Sequence, residues 1–296
     1  MSRYYRHIVL TDEEIPLKKW MREHLQLTNR QISRLKFQPG ALMVNHQRVY
    51  VSHLLQKGDL IEIKLESDRP PLPLSDPLYP LTVLYEDEDL LVLNKPCGSV
   101  VHPIHAHYHD TLLIQASGYC AKKGETVRLH CVGRLDKETS GIILLAKNRI
   151  AAQKLTEQRN SQQSQKTYYA IVEGVMEKQN DVISFPMMND PAEPRKMIIH
   201  ENGKAASTHY SVVKQFCDHA LLAVTIKTGR MHQIRVHMKA IHHPLIGDVL
   251  YDGKPYPRLC LHACQIVFYQ PFTNERISIS APYDASFQKL LVSSIR

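Results

Sequence analysis

The sequence lacks any long apolar run. No stretch of its 296 residues approaches the roughly 18 consecutive apolar residues that a membrane-spanning helix needs. The opening segment MSRYYRHIVLTDEEIP also lacks an apolar core of the length found in secretory signal peptides. We therefore expect neither a membrane protein nor a secreted one, and we predict a cytoplasmic location.

Cysteine is scarce and irregularly placed. The six cysteines stand at positions 97, 120, 131, 217, 260 and 264, in a chain long enough to bury a core without disulfides. This pattern predicts reduced thiols. The segment CLHAC, from Cys260 to Cys264, has no second pair of possible metal ligands and lies in an apolar, strand-like stretch, so we interpret both as buried structural cysteines.

Glycine-rich phosphate-binding motifs are missing as well. The chain contains neither GxGxxG nor GxxxxGK[ST], which argues against the common dinucleotide-binding and P-loop enzymes. Four histidines stand close together, His102 and, within the segment IHAHYHD, His105, His107 and His109. Because no partner cluster of metal ligands accompanies them, we interpret them as part of a solvated loop rather than a zinc site. We therefore predict an activity that uses neither a metal nor an organic cofactor.

Positive charge is what the sequence has in excess. Lys and Arg number 37 against 29 Asp and Glu, which gives a net charge of +8, while a hydrophobic content of 43% is typical of a globular protein. Each phosphate that a cation neutralises releases counterions, so this surplus favours a polyanionic partner.

A proline-rich segment divides the chain. ESDRPPLPLSDPLYP, residues 66–80, has five prolines in fifteen residues, which predicts an extended linker. We expect a small domain over residues 1–65 and a large one over 81–296. In the small domain, the spacing of Leu17, Trp20, Met21 and Leu25 predicts one helix and residues 29–36 predict another; a hairpin turning at Asn45-His46 and a turn at Gly58-Asp59 complete it.

The small domain resembles a known RNA-binding module. NRQISRLKFQPGALMVNHQRVYVSHLLQKGDLIEI is similar, over roughly residues 15–65, to the module named after ribosomal small-subunit protein S-four. In such modules the basic helix and the adjoining loop contact RNA, so the resemblance implies that Arg30, Arg34, Lys36 and Arg48 bind RNA. The alternative is a solvated basic helix face without a partner.

One aspartate of the large domain stands in an unusual setting. In CVGRLDKETSGIILLAKN, residues 131–148, Asp136 precedes a turn and the apolar run Ile142–Ala146, which predicts a buried strand. Aspartate is common in such turns because it can bond its own backbone. From this segment alone, the turn role is favoured over a chemical one.

Two further segments carry possible site residues. QKTYYAIVEG predicts a strand with Tyr168 and Ala170 on one face and Tyr169 and Ile171 on the other; a tyrosine that faces a cleft can stack on a base. In VTIKTGRMHQIRVHMKAIHHPLIGDVLYDG, a strand over 222–227 precedes a helix whose apolar positions are Ile234, Met238 and Ile241. The cationic or potentially cationic residues around the start of this helix should then lie on its other faces and could bind phosphate; they are Arg230, His232, Arg235, His237 and Lys239.

Together these segments resemble the RluA-type family of RNA pseudouridine synthases. NKPCGSVVHP, GRLDKETSGIILLAK, KTYYAIVEG, TGRMHQIRVHMKAIHHPLIGD, LHACQIVFYQPFT and APYDASF are similar to that family's motifs in the family's order, over about residues 80–290. The resemblance implies an α+β fold, with a mixed, mostly antiparallel sheet and a central RNA cleft in the catalytic domain.

The resemblance also implies roles for individual residues. Asp136 would be the essential nucleophile, Tyr168 the active-site tyrosine and Arg235 the arginine paired with Asp136, with Arg230 as the alternative partner. The residues implied to bind substrate RNA are Arg134, Leu135, Lys137, Thr139, Arg230, His232 and Lys239. The family usually has histidine where this chain has Gly133, which puts RNA contacts and target choice in doubt more than activity.

The chemistry suits these residues. Isomerising uridine to pseudouridine needs no redox partner; it needs a carboxylate held against the ribose or the base. Burying that carboxylate is costly unless a cation pairs with it. We expect a monomeric enzyme acting on structured RNA, with ribosomal RNA, of the large subunit, favoured over transfer RNA. A non-catalytic RNA-binding or ribosome-assembly protein on the same scaffold is the main alternative; a carboxylate hydrolase would need a second acid or a Ser-His pair near Asp136.

Overall fold

A computed structural model describes residues 3–65, 80–102, 111–125 and 127–292. Nearly all of the predicted linker, residues 66–79, lies outside the described residues, and so do His105, His107 and His109. The architecture is α+β, as predicted: helices pack on sheets whose strand pairs are antiparallel with one exception. None of the helices in the described ranges is long and apolar enough to span a membrane.

Residues 3–65 have a core and a sheet of their own, and we call them the small unit. Its sheet has the strand order β1-β6-β3-β4, and β2 pairs with β5. One face of α1 buries Leu17, Trp20 and Met21. The elements in chain order are β1 (Tyr4–Ile8), β2 (Ile15–Pro16), α1 (Leu17–His24), α2 (Asn29–Phe37), β3 (Leu42–Val44), β4 (Gln47–Arg48), β5 (Leu54–Leu55) and β6 (Leu60–Lys64).

The two predicted helices and both predicted turns of the small unit are confirmed. Thr28 caps α2 through a capping box with Gln31, which satisfies amides that the helix leaves free. Asn45 and His46 both have positive φ, 52° and 65°, which is the geometry that a two-residue hairpin turn requires. Strand β1, which pairs with β6 along its full length, was not predicted.

The remaining described residues, 80–292, form the large unit around a ten-stranded sheet. The strand order is β12-β15-β16-β11-β17-β10-β8-β7, with β18 beside β17 and β9 beside β10. The strands are β7 (Thr82–Glu86), β8 (Leu90–Lys95), β9 (His130–Val132), β10 (Ser140–Ala146), β11 (Gln165–Glu173), β12 (Asn180–Ile183), β13 (Met187–Asn189), β14 (Met197–Ile199), β15 (Thr208–Gln215), β16 (His219–Ile226), β17 (Leu261–Tyr269) and β18 (Arg276–Ser280). The helices are α3 (Leu112–Lys122), α4 (Arg149–Asn160), α5 (Gln233–Ala240) and α6 (Ala285–Val292).

Strand β10 is buried on both faces, as its apolar run predicted. Ile142 and Leu144 belong to one hydrophobic cluster, and Ile143 and Leu145 belong to another on the opposite face. Its start pairs in parallel with β17, and Gly141 permits this crossing: its φ is 104°, and a Cβ there would lie 2.3 Å from the carbonyl oxygen of Ala263. Because β10 is buried on both faces and its start is paired with β17, the position of the segment that precedes β10 is fixed by the sheet.

The small and large units contact each other through aromatic and charged side chains. The rings of Tyr5 and Phe272 are 5.6 Å apart, and Lys154 Nζ lies 5.2 Å from the Tyr5 ring centroid. Arg3 donates a 3.0 Å hydrogen bond to the carboxylate of Asp89. Six free cysteines account for all cysteines of the chain, with Cys260 and Cys264 buried, as predicted.

Candidate active site

A cleft of about 1330 Å³ opens on one side of the large sheet. Its walls are the segment 132–136 with Thr139, the end of α4, the start of β11, the hairpin of β13 and β14, and the segment 225–235 that leads from β16 into α5. Both Asp136 and Tyr168 line this cleft, although 32 positions separate them in the sequence. The three segments singled out in the sequence therefore meet at one place.

Asp136 sits in the loop between β9 and β10. The amide of Thr139 donates a 3.1 Å hydrogen bond to the Asp136 carbonyl, so the backbone of Asp136 does form the expected turn. Its side chain, 23% exposed, points into the cleft. One residue thus has both of the roles that the sequence left open: its backbone makes the turn and its carboxylate is available for chemistry.

A buried lysine holds this loop in place. Lys95 is fully buried, and its Nζ donates to the carbonyls of Pro96 (3.0 Å), Ser99 (2.8 Å) and Lys137 (2.8 Å). The amide of Gly98 also donates to the Lys137 carbonyl, at 3.0 Å. Burial lowers the pKa of Lys95 to about 8. These hydrogen bonds join the loop after β8 to the Asp136 loop, and this link was not predicted from the sequence.

Tyr168 lies on β11 on the face that was predicted. Tyr168 and Ala170 belong to the cluster beneath the cleft, whereas Tyr169 and Ile171 pack on the other side of the sheet. Burial raises the pKa of the Tyr168 hydroxyl well above its ordinary value, and the negative charge of Asp136 raises it further. Tyr168 therefore keeps its proton at neutral pH and offers the cleft an aromatic face and a neutral hydroxyl.

The predicted ion pair between Arg235 and Asp136 is wrong in this structure. Arg235 instead makes two hydrogen bonds to Asp248, Nε to Oδ2 at 2.8 Å and Nη2 to Oδ1 at 2.7 Å. Neither Arg235 nor the alternative, Arg230, comes within 4.0 Å of the Asp136 carboxylate; the Nε of Arg230 donates to the carbonyl of Ala205 at 3.2 Å. A carboxylate as deeply buried as Asp248 requires a paired cation, and the planar guanidinium matches it in two bonds.

Among the basic side chains that the structure describes, His232 comes within 4.0 Å of the Asp136 carboxylate and no other does. Its Nε2 lies 4.0 Å from Asp136 Oδ2, and its Nδ1 lies 2.8 Å from the Tyr251 hydroxyl. That hydroxyl accepts a 2.9 Å hydrogen bond from the Met197 amide, so we assign its proton to the bond with Nδ1. Burial lowers the pKa of His232, and Arg235 lowers it further. A neutral His232 then presents its Nε2 proton to the Asp136 carboxylate.

The other predicted RNA contacts are divided between the cleft and the surface. Arg134, Leu135, Thr139, Arg230 and His232 line the cleft. Lys137 is exposed outside the cleft, and Lys239 is exposed and pairs with Asp252. In the small unit, Arg30, Lys36 and Arg48 are exposed and Arg34 is half-buried, all of them outside the cleft lining.

The expectation that α5 exposes its cations is wrong for Arg235 and His237, which are buried, and holds for Lys239, which is exposed. Six of its eight residues, from Gln233 to Met238, are buried, because the helix packs against β14 and β15. His237 donates from Nε2 to the Phe185 carbonyl at 3.0 Å, and its Nδ1 lies 2.9 Å from Thr208 Oγ1. These polar groups have internal partners and are not available to phosphate.

Four residues of the site were not singled out from the sequence. Asp248 and Tyr251 complete the network around Arg235 and His232, and the Tyr251 ring centroid lies 4.9 Å from the Arg235 guanidinium carbon. Lys166 and Arg159 also line the cleft. Burial lowers the pKa of Lys166 to about 8, and its Nζ donates to the Ile142 carbonyl at 3.0 Å. Only Lys166, two positions before Tyr168 on the same strand face, could have been inferred from strand periodicity.

Within the described ranges, no three His, Cys, Asp or Glu side chains are grouped so that they could hold a metal ion. His102 lines the cleft, and burial lowers its pKa, with Arg134 lowering it further. In the described part of the cleft lining Asp136 is the one carboxylate, and it is accompanied by the neutral Tyr168, by histidines, by several cations and by uncharged amides and hydroxyls. Such a set can stack a base, bind phosphates and place one carboxylate against a substrate.

Comparisons with known proteins agree with this geometry. The family model described as RNA pseudouridylate synthase matches residues 89–240. The chain is 33% identical over 281 residues to an uncharacterised RNA pseudouridine synthase of Bacillus subtilis (strain 168), covering 90% of this chain and 95% of that one. It is 34% identical over 250 residues to ribosomal large subunit pseudouridine synthase D of Haemophilus ducreyi, covering 79% and 76%. A solved structure, human RNA pseudouridylate synthase domain containing 4, aligns with a TM-score of 0.59 at 28% identity, over 71% of this chain and 92% of that one.

Proposed function

Because the chain belongs to the RluA-type family of RNA pseudouridine synthases, and so is an isomerase that acts on RNA, we propose that it modifies specific uridines of large-subunit ribosomal RNA with Asp136 as the reacting carboxylate. The preference for large-subunit RNA is supported by relatives, 34% identical to this chain, that are named ribosomal large subunit pseudouridine synthase D. The role of Asp136 is supported by its position in the cleft lining, close enough to Tyr168 that its charge raises the pKa of the tyrosine hydroxyl.

In the proposed reaction, the bond between ribose C1′ and uracil N1 breaks and the uracil rotates. A bond from C1′ to C5 then forms, the C5 proton leaves and N1 takes up a proton, so product and substrate have the same atoms. The Asp136 carboxylate acts as nucleophile or as proton acceptor in this sequence. The uridine must first leave its stack, which costs a few kcal/mol that contacts between cations of the cleft and RNA phosphates offset.

The other groups of the cleft have supporting parts. Tyr168 stacks on the flipped uracil and, because its pKa is raised, offers a hydroxyl that keeps its proton. His232 faces Asp136 with its Nε2 at 4.0 Å, which is beyond hydrogen-bond distance, so it places a dipole near the carboxylate without neutralising it. Arg235 and Asp248 hold α5 and with it His232, which makes Arg235 a positioning residue in this scheme. Arg134 and Arg230 contact phosphates at the mouth of the cleft.

We further propose that residues 1–65 form an RNA-binding domain, residues 66–80 a linker and residues 81–296 the catalytic domain of a monomeric enzyme. The exposure of Arg30, Lys36 and Arg48 supports an electrostatic contact of the first domain with RNA outside the cleft. This contact would add affinity and leave the chemistry to the cleft.

The experiment that tests the function is Asp136→Asn. We expect pseudouridine formation to fall by at least about a thousandfold, because an amide can act neither as nucleophile nor as proton acceptor. Tritium release from large-subunit ribosomal RNA labelled at uracil C5 measures the reaction, and filter binding measures affinity, which should stay within about twofold of the wild type because no phosphate contact is removed.

Asp181→Asn is the matched control, since the Asp181 side chain is 40% exposed, is bonded to Lys178 and lies outside the cleft lining. Its activity should equal that of the wild type. Activity retained by Asp136→Asn would contradict the role of Asp136. Absence of tritium release by the wild-type protein from large-subunit, small-subunit and transfer RNA pools would favour the alternative, a non-catalytic RNA-binding protein.

A further inference from the structure

An arginine from α4 occupies the space beside the Asp136 loop. Gly133, three positions before Asp136, has a φ of 81°, and a Cβ built on it would lie 3.3 Å from Nη1 of Arg159. Such a distance is tighter than ordinary contact, so the guanidinium is seated where a side chain at position 133 would begin. Gly133 and Arg159 thus form one feature: the absence of a side chain at one position makes room for the other.

Arg159 has no internal partner that would explain its position. Its side chain is exposed within the cleft, and in the described part of the chain no carboxylate lies within 4.0 Å of it and no acceptor takes a hydrogen bond from it. It does not cap α4 either. The carbonyls of Glu157, Gln158 and Arg159 at the helix end already accept from the amides of Ser161, Ser164 and Gln162. A positive charge that faces a cleft without a counter-charge is available to bind an external anion.

A second cation lies on the same wall. Lys166 is close enough to Arg159 that their charges repel each other, and the charge of Arg159 also acts on the hydroxyl of Tyr168. Between Arg159 and Lys166 the wall carries polar side chains without acidic ones; those that line the cleft are Asn160, Gln162, Ser164 and Gln165. Two neighbouring cations repel each other, and an anion bound between or beside them removes that cost.

We propose that Arg159, whose guanidinium lies in the space that Gly133 leaves open, is a substrate-positioning residue. It binds the phosphate of a nucleotide that flanks the target uridine. The inference rests on the proposed function only in that the occupant of the cleft is RNA. Arg159 would hold the flanking phosphate while Asp136 contacts the flipped nucleotide, so the RNA would be held at two points. Arg159 would therefore influence which RNA strands bind in the cleft.

The test compares Arg159→Ala, Arg159→Lys and the control Arg276→Ala, which removes an equal charge from an exposed position on β18 outside the cleft lining. Binding is measured in the Asp136→Asn background, so that no turnover occurs, to a large-subunit ribosomal RNA transcript at several salt concentrations. For Arg159→Ala we expect Kd to rise about fivefold to tenfold and the salt slope, d log K/d log[salt], to become shallower by about 0.7 to 0.9, the value for one lost phosphate contact.

The conservative and control variants should behave differently. Arg159→Lys should keep the salt slope, since it keeps the charge, while it loses part of the affinity. Arg276→Ala should match the parent protein in both quantities. In the Asp136-containing enzyme, Arg159→Ala should raise KM and leave kcat at saturating RNA within about twofold, which a disturbed Asp136 loop would not do.

Gly133→Ala provides a second and independent measurement. Alanine strains the backbone at this φ of 81° in any background, and its methyl group would in addition push against the Arg159 guanidinium, so it should weaken binding more when Arg159 is present than when Arg159 is already alanine. Additive effects of the two substitutions would contradict the proposed link. An unchanged Kd and salt slope in Arg159→Ala would overturn the proposal altogether.

The outcomes separate this inference from the proposed function. A wild-type protein that forms pseudouridine while Arg159→Ala binds RNA normally would leave the function intact and reject the phosphate contact. A wild-type protein that forms no pseudouridine, but loses affinity and salt slope on Arg159→Ala, would reject the function and retain the contact.

Discussion

The small unit and the cleft of the large unit use basic residues in opposite ways. Arg30, Lys36 and Arg48 of the small unit project into solvent, whereas Arg235 and His237 of α5 are buried and bonded to partners within the protein. An exposed cation keeps its water and attracts any polyanion with a strength that depends on salt. A buried cation has lost its water and is stabilised by one specific partner, so it determines geometry rather than affinity. A basic segment therefore predicts RNA contact only where its charges remain accessible.

The strongest way to test this comparison is to remove a buried cation. Arg235→Met should destabilise the protein by about 3 to 5 kcal/mol, because Asp248 would be left charged, buried and unpaired. The double variant Arg235→Met with Asp248→Leu should regain much of that stability, since no unpaired charge remains, but should not regain full activity because His232 loses its support. Urea unfolding and tritium release measure the two effects. Equal stability of the single and double variants would show that the pair does not account for the cost.

A buried histidine behind the Asp136 loop should make stability depend on pH. Burial lowers the pKa of His262 to about 4, and its Nδ1 accepts from Ser140 Oγ at 2.7 Å. Between pH 6.5 and 4 the unfolded chain binds more protons at this position than the folded one, so the free energy of unfolding falls as pH falls through this window. The loss should reach roughly 3 kcal/mol, at about 1.4 kcal/mol per unit of pKa shift.

His262→Gln should shrink that dependence. The variant should be somewhat less stable than the wild type at pH 7, but urea midpoints between pH 7 and 4 should fall less steeply. His200→Gln, at an exposed histidine, should keep the wild-type dependence. Parallel pH curves for wild type and His262→Gln would contradict the assignment.

Exposed cations should show a smaller and purely electrostatic effect. Arg30→Ala combined with Arg48→Ala should weaken binding of large-subunit ribosomal RNA about tenfold at low salt and make the salt slope shallower by roughly 1.4 to 1.8, without changing kcat or the free energy of unfolding. Filter binding across a salt series measures this. An unchanged slope would mean that this face of the small unit is a solvated surface without an RNA partner.

The smallest effect is expected at Lys239. This residue is exposed and pairs with the still more exposed Asp252 outside the cleft, so Lys239→Ala should change stability by less than about 0.5 kcal/mol and leave RNA affinity as in the wild type. Thermal unfolding and filter binding measure both. A clear loss of affinity would show that RNA extends beyond the cleft along α5.

Local structure and residue chemistry were predictable from the sequence where neighbours along the chain decide them. The apolar run after Thr139 predicted the buried strand β10, alternation placed Tyr168 and Tyr169 on opposite faces of β11, and Asn45-His46 predicted a hairpin turn. Strand β1 was missed because its half-buried edge position follows from pairing with β6, more than fifty residues away.

Predictions about charged side chains failed where the deciding partner is distant. Periodicity placed the cations of α5 on exposed faces, but β14 and β15 cover that helix, so Arg235 and His237 are buried. The family resemblance implied that Arg235 pairs with Asp136, yet the carboxylate that reaches it belongs to Asp248. In the same way, nothing along the chain indicates that Lys95 holds the carbonyl of Lys137.

Residue identity and short-range spacing were enough to predict the family, the α+β class, the order of the motifs and the choice of Asp136 and Tyr168 as site residues. The groups that surround Asp136 became known from the packing of distant elements. His232 rather than an arginine comes to 4.0 Å, Lys95 secures the loop from behind, and Arg159 enters beside Gly133. The reason is physical: a side chain's charge partner and its exposure depend on which distant strands and helices pack around it, and the spacing of residues along the chain does not contain that information.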